Sequence, residues 1–331
     1  MTDKSKQRAR DYAQRHNVSH QAAVNQIRAS LRDVLNASEQ QVEGKLKDVA
    51  DHYSARVYPK VRFADVATIE GSGLSASEYR FALQSHLDFV VTDDKRKPLF
   101  ALEYDGEGHS TANDGLKNAL CERFGLPLAR VNHRHLNLYA REVDSVTWLL
   151  EVVFIARAME EGQANGTFPQ DEPIDPFNII SWERNSRSFP LSFTRAISSR
   201  LLRLSDAKKL PAGFPSYVAY GKRSSVNAMA VLRVAAGKFL AARESIYLAG
   251  FPIGPGEIAT ELAMARLGLL LTAYLKGEDV ALPAATVYER LNQLASRGDY
   301  HGGGFSNDPE SFTVAHSNGK TRILPPVSLR H

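Results

Sequence analysis

The chain has 331 residues, 43% of them apolar, one cysteine and a formal net charge of +4. That length suits two domains, or one large domain with additions, and the apolar content supports a buried core. A single cysteine, Cys121, excludes an internal disulfide and fits a reducing cytoplasm. Thr2 to Arg10 is charged and lacks the apolar core of a secretory signal. The longest apolar run, near Leu267 to Leu275, is too short to span a bilayer. A cytoplasmic protein with no membrane partner is therefore expected. Charge is unevenly placed: 22 basic and 26 acidic residues precede Pro176, against 19 and 11 from there on. The second half carries the positive field, which suits a polyanionic partner or a solvated basic surface.

In chain order, residues 1–36 predict a polar helical arm or a small helix–turn–helix. Its turn falls at His16-Asn17-Val18-Ser19, and Ser19 is the expected N-cap of a helix from Gln21 to Leu31. Residues 37–162 predict one α/β unit. A helix starts near Asn36 or Ser38 and runs to about Tyr53, with Val42, Leu46 and Val49 inward. Strands follow at Val57–Val66, Leu87–Val91 and Leu99–Tyr104, the last two joined by the charged turn Asp93 to Pro98. A helix from Asp114 to Phe124 ends at Gly125, then come a buried strand Leu126–Val131 and a helix Glu142–Glu160. The order implies a mixed central sheet between helices.

Residues 163–176, rich in Gly, Pro and acids, predict a linker. Residues 177–331 predict a mainly helical, basic domain, with helices at Ala228–Ala242, Glu257–Leu275 and Ala284–Arg297. Gly302-Gly303-Gly304 predicts a flexible loop before the tail.

Two apolar runs carry acids at their ends. Asp88 sits between Leu87 and Phe89, and Glu103 and Asp105 alternate with Tyr104, so both point to one strand face. Neighbouring strands presenting Asp88 and Glu103 could bring both carboxylates to one cation, with the Tyr104 carbonyl as a third hard oxygen. Magnesium accepts one or two carboxylates and completes its shell with water and phosphate oxygens. His109, after Gly106-Glu107-Gly108, could serve as a general base, or as a general acid to the leaving oxygen. Lys117 lies one turn beyond Asp114, and both can face the same sheet edge.

The series Asp88-Phe89-Val90-Val91, Leu99 to Gly106 with His109, Asp114-x-x-Lys117-Asn118-x-x-Cys121 and Gly125-Leu126-Pro127-Leu128-x-Arg130-Val131 resembles the PD-(D/E)XK nuclease superfamily. The similarity is closest to bacterial proteins related to very-short-patch-repair-type endonucleases, in a Glu-x-Asp-Gly-x-x-His variant. It extends back through Val57 to Val66 and covers about 37–135. The resemblance implies a restriction-endonuclease-like α/β fold and a Mg²⁺- or Mn²⁺-dependent endonuclease acting on DNA, with RNA left open, in host defence or DNA repair. Asp88 and Glu103 would ligate the metal, with Asp105 ligating or positioning water. The superfamily's lysine, two residues after the second acid, is replaced here by Asp105. Lys117 is the candidate substitute, since that lysine migrates onto the following helix in some members. A glutamate from the first helix is also implied. Glu39 and Glu43 are candidates, and Glu39 could equally close a capping box with Asn36.

Lys208, Lys209, Lys222, Arg223, Arg233, Lys238 and Arg243 could track phosphates, with Tyr217 and Tyr220 nearby for stacking. The second half could also hold a protein partner or a second copy. The Asp105 departure keeps a competing expectation open: a non-catalytic nucleic-acid-binding or assembly protein on a nuclease-like scaffold.

Overall fold

The computed structural model describes residues 3–28, 33–106, 111–140, 143–179, 182–184, 187–189, 191–306, 308, 310–317 and 320–326. It divides into two compact units, Met1–Ala37 and Ser38–His331. The first contains α1 (Asp3–His16) and α2 (His20–Arg28), which pack on each other. Asn17 turns the chain with a left-handed φ of 49°. Ser19 Oγ accepts the Ala22 N–H at 3.1 Å, the expected N-cap bond. Leu31, the expected end of that helix, lies outside the described residues.

The second unit opens with α3 (Ala37–His52), β1 (Arg56–Arg62), α4 (Phe63–Val66), α5 (Ala76–Gln84), β2 (His86–Thr92) and β3 (Pro98–Asp105). Next come α6 (Thr111–Phe124), β4 (Leu128–Asn132), α7 (His133–Leu136), the small pair β5 (Tyr139–Ala140) and β6 (Val143–Asp144), and α8 (Ser145–Ala164). The remainder comprises β7 (Trp182–Arg184), β8 (Arg187–Phe189), α9 (Phe193–Asp206), β9 (Ser216–Lys222), β10 (Ser225–Ala235) and β11 (Lys238–Ala249). It ends with α10 (Pro255–Leu275), β12 (Leu282–Pro283), α11 (Ala284–Ala295), β13 (Asp299–Gly304) and the hairpin β14 (Thr313–Ser317) and β15 (Lys320–Leu324).

The architecture is α/β, with a mixed central sheet flanked by helices. A nine-stranded sheet runs in the order β1-β2-β3-β4-β11-β10-β9-β13, with β12 on β11. Only β3 and β4 pair in parallel, joined by the crossover α6; the other pairs of this sheet are antiparallel. On one face, Leu120 and Cys121 of α6 pack on Val90, Ala101 and Leu128. Farther along the same face, Val287, Leu291 and Leu294 of α11 pack on Val218, Met229, Val231 and Phe239. On the other face, Phe154 of α8 meets Phe100 with ring centroids 5.7 Å apart, and α10 lies along β10 and β11.

Four expectations are corrected. The segment Ala228–Ala242 is not helical but the body of the β10–β11 hairpin. Its strands are buried on both faces, so apolar residues follow one another without a polar alternation to separate strand from helix. Residues 163–176 cross the surface of one unit and do not link two domains. Strands from both sides of that stretch share one sheet through the β4–β11 pairing Arg130↔Tyr247, Ala129↔Leu248 and Leu128↔Ala249. Gly302 to Gly304 belong to edge strand β13: a Cβ on Gly303 would lie 2.6 Å from the Tyr217 carbonyl oxygen, so the glycines allow close approach. Finally, the apolar stretch near Leu267 is part of a 21-residue helix, α10, long and apolar enough by length and composition to cross a membrane, but seated here against the sheet.

Glu261 of α10 ties α10 to α9. Its buried carboxylate accepts the Thr194 N–H at 2.8 Å and the Ser192 hydroxyl at 3.1 Å. Burial pushes its pKa up to about 7, against the pull of these bonds. Between the ordinary glutamate value and about 7, the folded protein holds a proton that the unfolded chain releases, so this group makes stability fall as pH rises across that window. Glu261→Gln keeps an acceptor oxygen without the charge. It should be more stable than the wild type at pH 8, by up to about 3 kcal/mol, with the gap closing towards pH 5. Urea unfolding at the two pH values checks this; an equal gap at both would refute it.

Candidate active site

The register of β2 against β3, Phe89↔Leu102 and Val90↔Ala101, sets Asp88 level with Glu103 on the face that α6 covers. There the ladder gives way to side-chain bonds. The Asp88 N–H donates to Glu103 Oε1 at 3.1 Å, and the Tyr104 N–H donates to Asp88 Oδ2 at 3.0 Å. Both carboxylates are buried, with Glu103 at 0% exposure. Carboxylates withdrawn from water need charge partners, since unpaired burial costs several kcal/mol.

Two lysines supply them. Lys117 of α6 places Nζ 2.5 Å from Glu103 Oε2. Lys60 of β1 places Nζ 2.5 Å from Asp88 Oδ1 and 2.9 Å from Oε1 of Glu39, which projects from α3. Lys60 stands across from Asp88, between the pairs Pro59↔Phe89 and Val61↔Leu87. It holds φ at 53°, a left-handed conformation that costs a non-glycine residue on the order of 1 kcal/mol. The Lys60 ion pairs offset that strain. Burial would lower the Lys60 pKa, but Asp88 and Glu39 together hold it above the usual lysine value. Burial, and then the Asp88 charge, push the Glu103 carboxyl above its usual value, with Lys117 opposing.

Beside this group lies a second one. Glu103 and Arg130 are partners across the parallel pair β3–β4. Arg130 is 5% exposed, and its Nη1 donates to Asp105 at 2.7 Å and Asp114 at 2.9 Å, while Nε donates to Asn118 at 3.0 Å. Burial disfavours this charge, yet Asp105, Glu103 and Asp114 hold the guanidinium above its ordinary pKa. Asp105 thus faces an arginine. Asp114, Lys117 and Asn118 share one side of α6, at the spacing that helix geometry allows.

The structure brings together Asp88, Glu103, Tyr104, Lys117 and Glu39, with Asp105 and Asp114 alongside. Glu43 instead pairs with Lys47 at 2.9 Å on the helix surface. His109 lies outside the described residues. Among the described residues, no three His, Cys, Asp or Glu side chains form a metal-holding group by themselves. Cys121 is buried in the core, where burial pushes its thiol up to about 12. Of the basic candidates, Lys208 and Lys209 follow α9, whereas Lys222 ends β9 and Arg223 occupies the β9–β10 turn, 3.5 Å from Glu122. Arg233 is engaged twice by Asp308, at 2.5 and 3.0 Å. Tyr220 is buried and offers no stacking surface.

Lys60 and Arg130 received no role from the sequence, although both carried a signal. Each is a cation inside an apolar strand pattern, and such a cation must find acids across the sheet.

A family model described as a protein of unknown function, DUF2726, matches residues 31–146. That span includes α3, β1 to β4 and α6, every element that contributes to the two ionic groups. No curated protein and no solved structure matches the chain.

Arg130→Met removes the centre of the second group and leaves Asp105, Asp114 and Asn118 without it. It should lower stability by about 3 kcal/mol, and Arg130→Lys should recover only part, because an ammonium lacks the planar fork that reaches three partners. The urea midpoints of both variants provide the measurement; a midpoint within error of the wild type for Arg130→Met would sink the assignment.

Proposed function

We propose that the region from α3 to β4 is the centre of a metal-dependent nuclease that hydrolyses phosphodiester bonds in DNA. What carries this reading is the convergence of Glu39, Asp88, Glu103 and Lys117 from a helix, two strands and a crossover helix onto one place. The donor set fits Mg²⁺ or Mn²⁺. Asp88 and Glu103 are adjacent hard-oxygen groups, and each oxygen that accepts a protein hydrogen bond retains capacity for a second partner. Asp88, Glu103 and the Tyr104 carbonyl would hold the ion, with water and phosphate oxygens completing its shell. When bound, such an ion lowers the pKa of a water and stabilises charge on the phosphate.

The chain's own groups do the rest. Lys117, fixed by Glu103, places its Nζ where the attacking water would be oriented and developing charge neutralised. Glu39 and Asp88 together fix Lys60, which shields the two acids from each other. His109 is proposed to hold or deliver a proton at the leaving oxygen. Service in defence or repair rests on the resemblance alone.

One observation favours a second reading. All four oxygens of Asp88 and Glu103 accept from the protein itself, two of them from ammonium groups. A self-contained cluster of this kind suits a non-catalytic nucleic-acid-binding scaffold. Plasmid, linear duplex, single-stranded DNA and RNA, each incubated with Mg²⁺ or Mn²⁺, separate the two. The nuclease reading expects metal-dependent cutting of DNA that falls at least about 100-fold in Asp88→Ala and Glu103→Ala, and clearly in Lys117→Ala, with folding kept. DNA binding without cutting of any substrate supports the second reading. Calorimetry adds a check independent of turnover: Lys60→Met removes a cation that competes for Asp88, so it should bind Mn²⁺ more tightly than the wild type.

A further inference from the structure

The sheet face that carries Glu103 is covered by α6 at one end and α11 at the other, and between them β11 leaves a polar gap. Alternate residues of β11 on this face are Tyr247, Ser245, Arg243, Ala241 and Phe239. Tyr247 packs into the core under α6, and Ala241 and Phe239 into the core under α11. Ser245 between them is exposed and Arg243 half-buried.

Arg243 lies in this gap, with Arg134 at its edge. Arg243 Nη2 donates to Asn227 Oδ1 at 2.6 Å. Arg134, in α7 directly after β4, donates from Nη2 to the Arg243 carbonyl oxygen at 2.9 Å and to Glu244 Oε1 at 3.1 Å. Arg297 is exposed just beyond α11, whose Ala295 packs against the same core as Ala241 of β11. Burial, then Arg297, then Arg134 hold the Arg243 guanidinium below the usual arginine range. Among the described residues, no carboxylate forms an ion pair with Arg243. Glu244 is buried, points to the opposite face by strand alternation, and is shared by Arg134 and by Arg266 at 2.6 Å. It anchors Arg134 in place, leaving the like charges beside one another.

Glu244 accounts for Arg134, but among the described residues no ion pair accounts for Arg243 beside the exposed Arg297, whereas a row of phosphates would. The position agrees. Tyr247 is level with Arg130, whose guanidinium lies 6.0 Å from the Tyr247 ring centre, and Arg130 is level with Glu103. Arg243, four residues along β11, is therefore about 13 Å along the strand direction from the carboxylate group. About four base-pair steps at 3.4 Å each cover that distance.

We propose that Arg243 and Arg297, with Arg134 at their edge, form a phosphate-binding array that seats the backbone of duplex DNA beside the carboxylate group. Its place relative to a cut rests on the nuclease reading; its affinity for duplex does not. Fluorescence anisotropy of the full chain with a labelled 20-base-pair duplex, in EDTA and over a salt series, tests it. Arg243→Gln and Arg297→Gln should each weaken binding about tenfold and flatten the slope of log affinity against log salt by about one unit. Lys276→Gln, an exposed charge removed from the end of α10, should match the wild type. Arg297 is exposed, so its variant reports on binding even where Arg243→Gln lowers the melting temperature. Wild-type affinity and slope in a folded Arg297→Gln and Arg243→Gln overturn the array, as does tighter binding of single strands or RNA than of duplex. If the wild type cuts nothing with Mn²⁺ while both arginine variants lose duplex affinity, the nuclease reading fails and the array stands. If the wild type cuts and the arginine variants bind duplex unchanged, the array alone falls.

Discussion

The pairing of buried carboxylates with lysines brought from separate elements is the constraint on which the rest of this structure depends. Asp88 and Glu103 sit at the closed end of an apolar sheet, where an unpaired charge is untenable. Lys60 can meet Asp88 only if β1 lies beside β2 and twists its backbone into the left-handed region. Lys117 can meet Glu103 only if α6 returns across β3 to reach β4. Satisfying both lysines therefore fixes the strand order β1-β2-β3-β4 and the crossover. Glu39, reached by the same Lys60 ammonium, fixes the approach of α3. Ionic groups of this kind add little net stability against an apolar equivalent, but losing a single member is expensive.

The same logic recurs at β11. Glu244 is buried on the face opposite Arg243, and its two arginine partners come from α7 and α10. It therefore binds the end of β4 to the C-terminal strands. This seam turns two stretches of chain separated by an exposed Gly- and Pro-containing crossing into one sheet. It also puts a basic surface next to an acidic site. Electrostatically, acids at the bottom of a site repel a polyanion, and cations at its border are needed to bring it in.

Legibility followed the local contrast of each residue with its neighbours. Asp88 and Glu103 stood out because acids inside apolar runs are rare, and Lys117 because its spacing from Asp114 puts both on one side of a helix. The central sheet and its flanking helices were readable from the same runs. Lys60 and Arg130 could be flagged only as cations inside strand patterns, because the acids that engage them come from elements distant in the sequence. The β10–β11 hairpin was unreadable for a related reason. Its alanine-rich strands carry runs of consecutive buried residues, such as Ala228 to Leu232, that hide a two-residue polarity period, and Gly237 at its turn, with φ of 62°, resembles a helix stop as much as a hairpin. The β4–β11 pairing joins residues more than a hundred positions apart and leaves no local trace at all.

Asp105, the residue that most weakens the resemblance, has a physical account in Arg130. On β3 it follows Glu103 by two residues, and on β4 Arg130 is the partner of Glu103, so the side chain at 105 lies against that guanidinium. A lysine at 105 would set a second cation beside a buried arginine already held by Asp114. The carboxylate avoids that repulsion and, with Asp114, accepts from the arginine's Nη1. Lys117 reaches Glu103 from α6, the helix above the strand, one residue before Asn118 accepts from Arg130 at Nε. The replacement at 105, the arginine at 130 and the lysine at 117 are therefore one coupled arrangement. Any chain that keeps an arginine at the position of Arg130 is expected to keep its acid on β3 and its lysine on the helix.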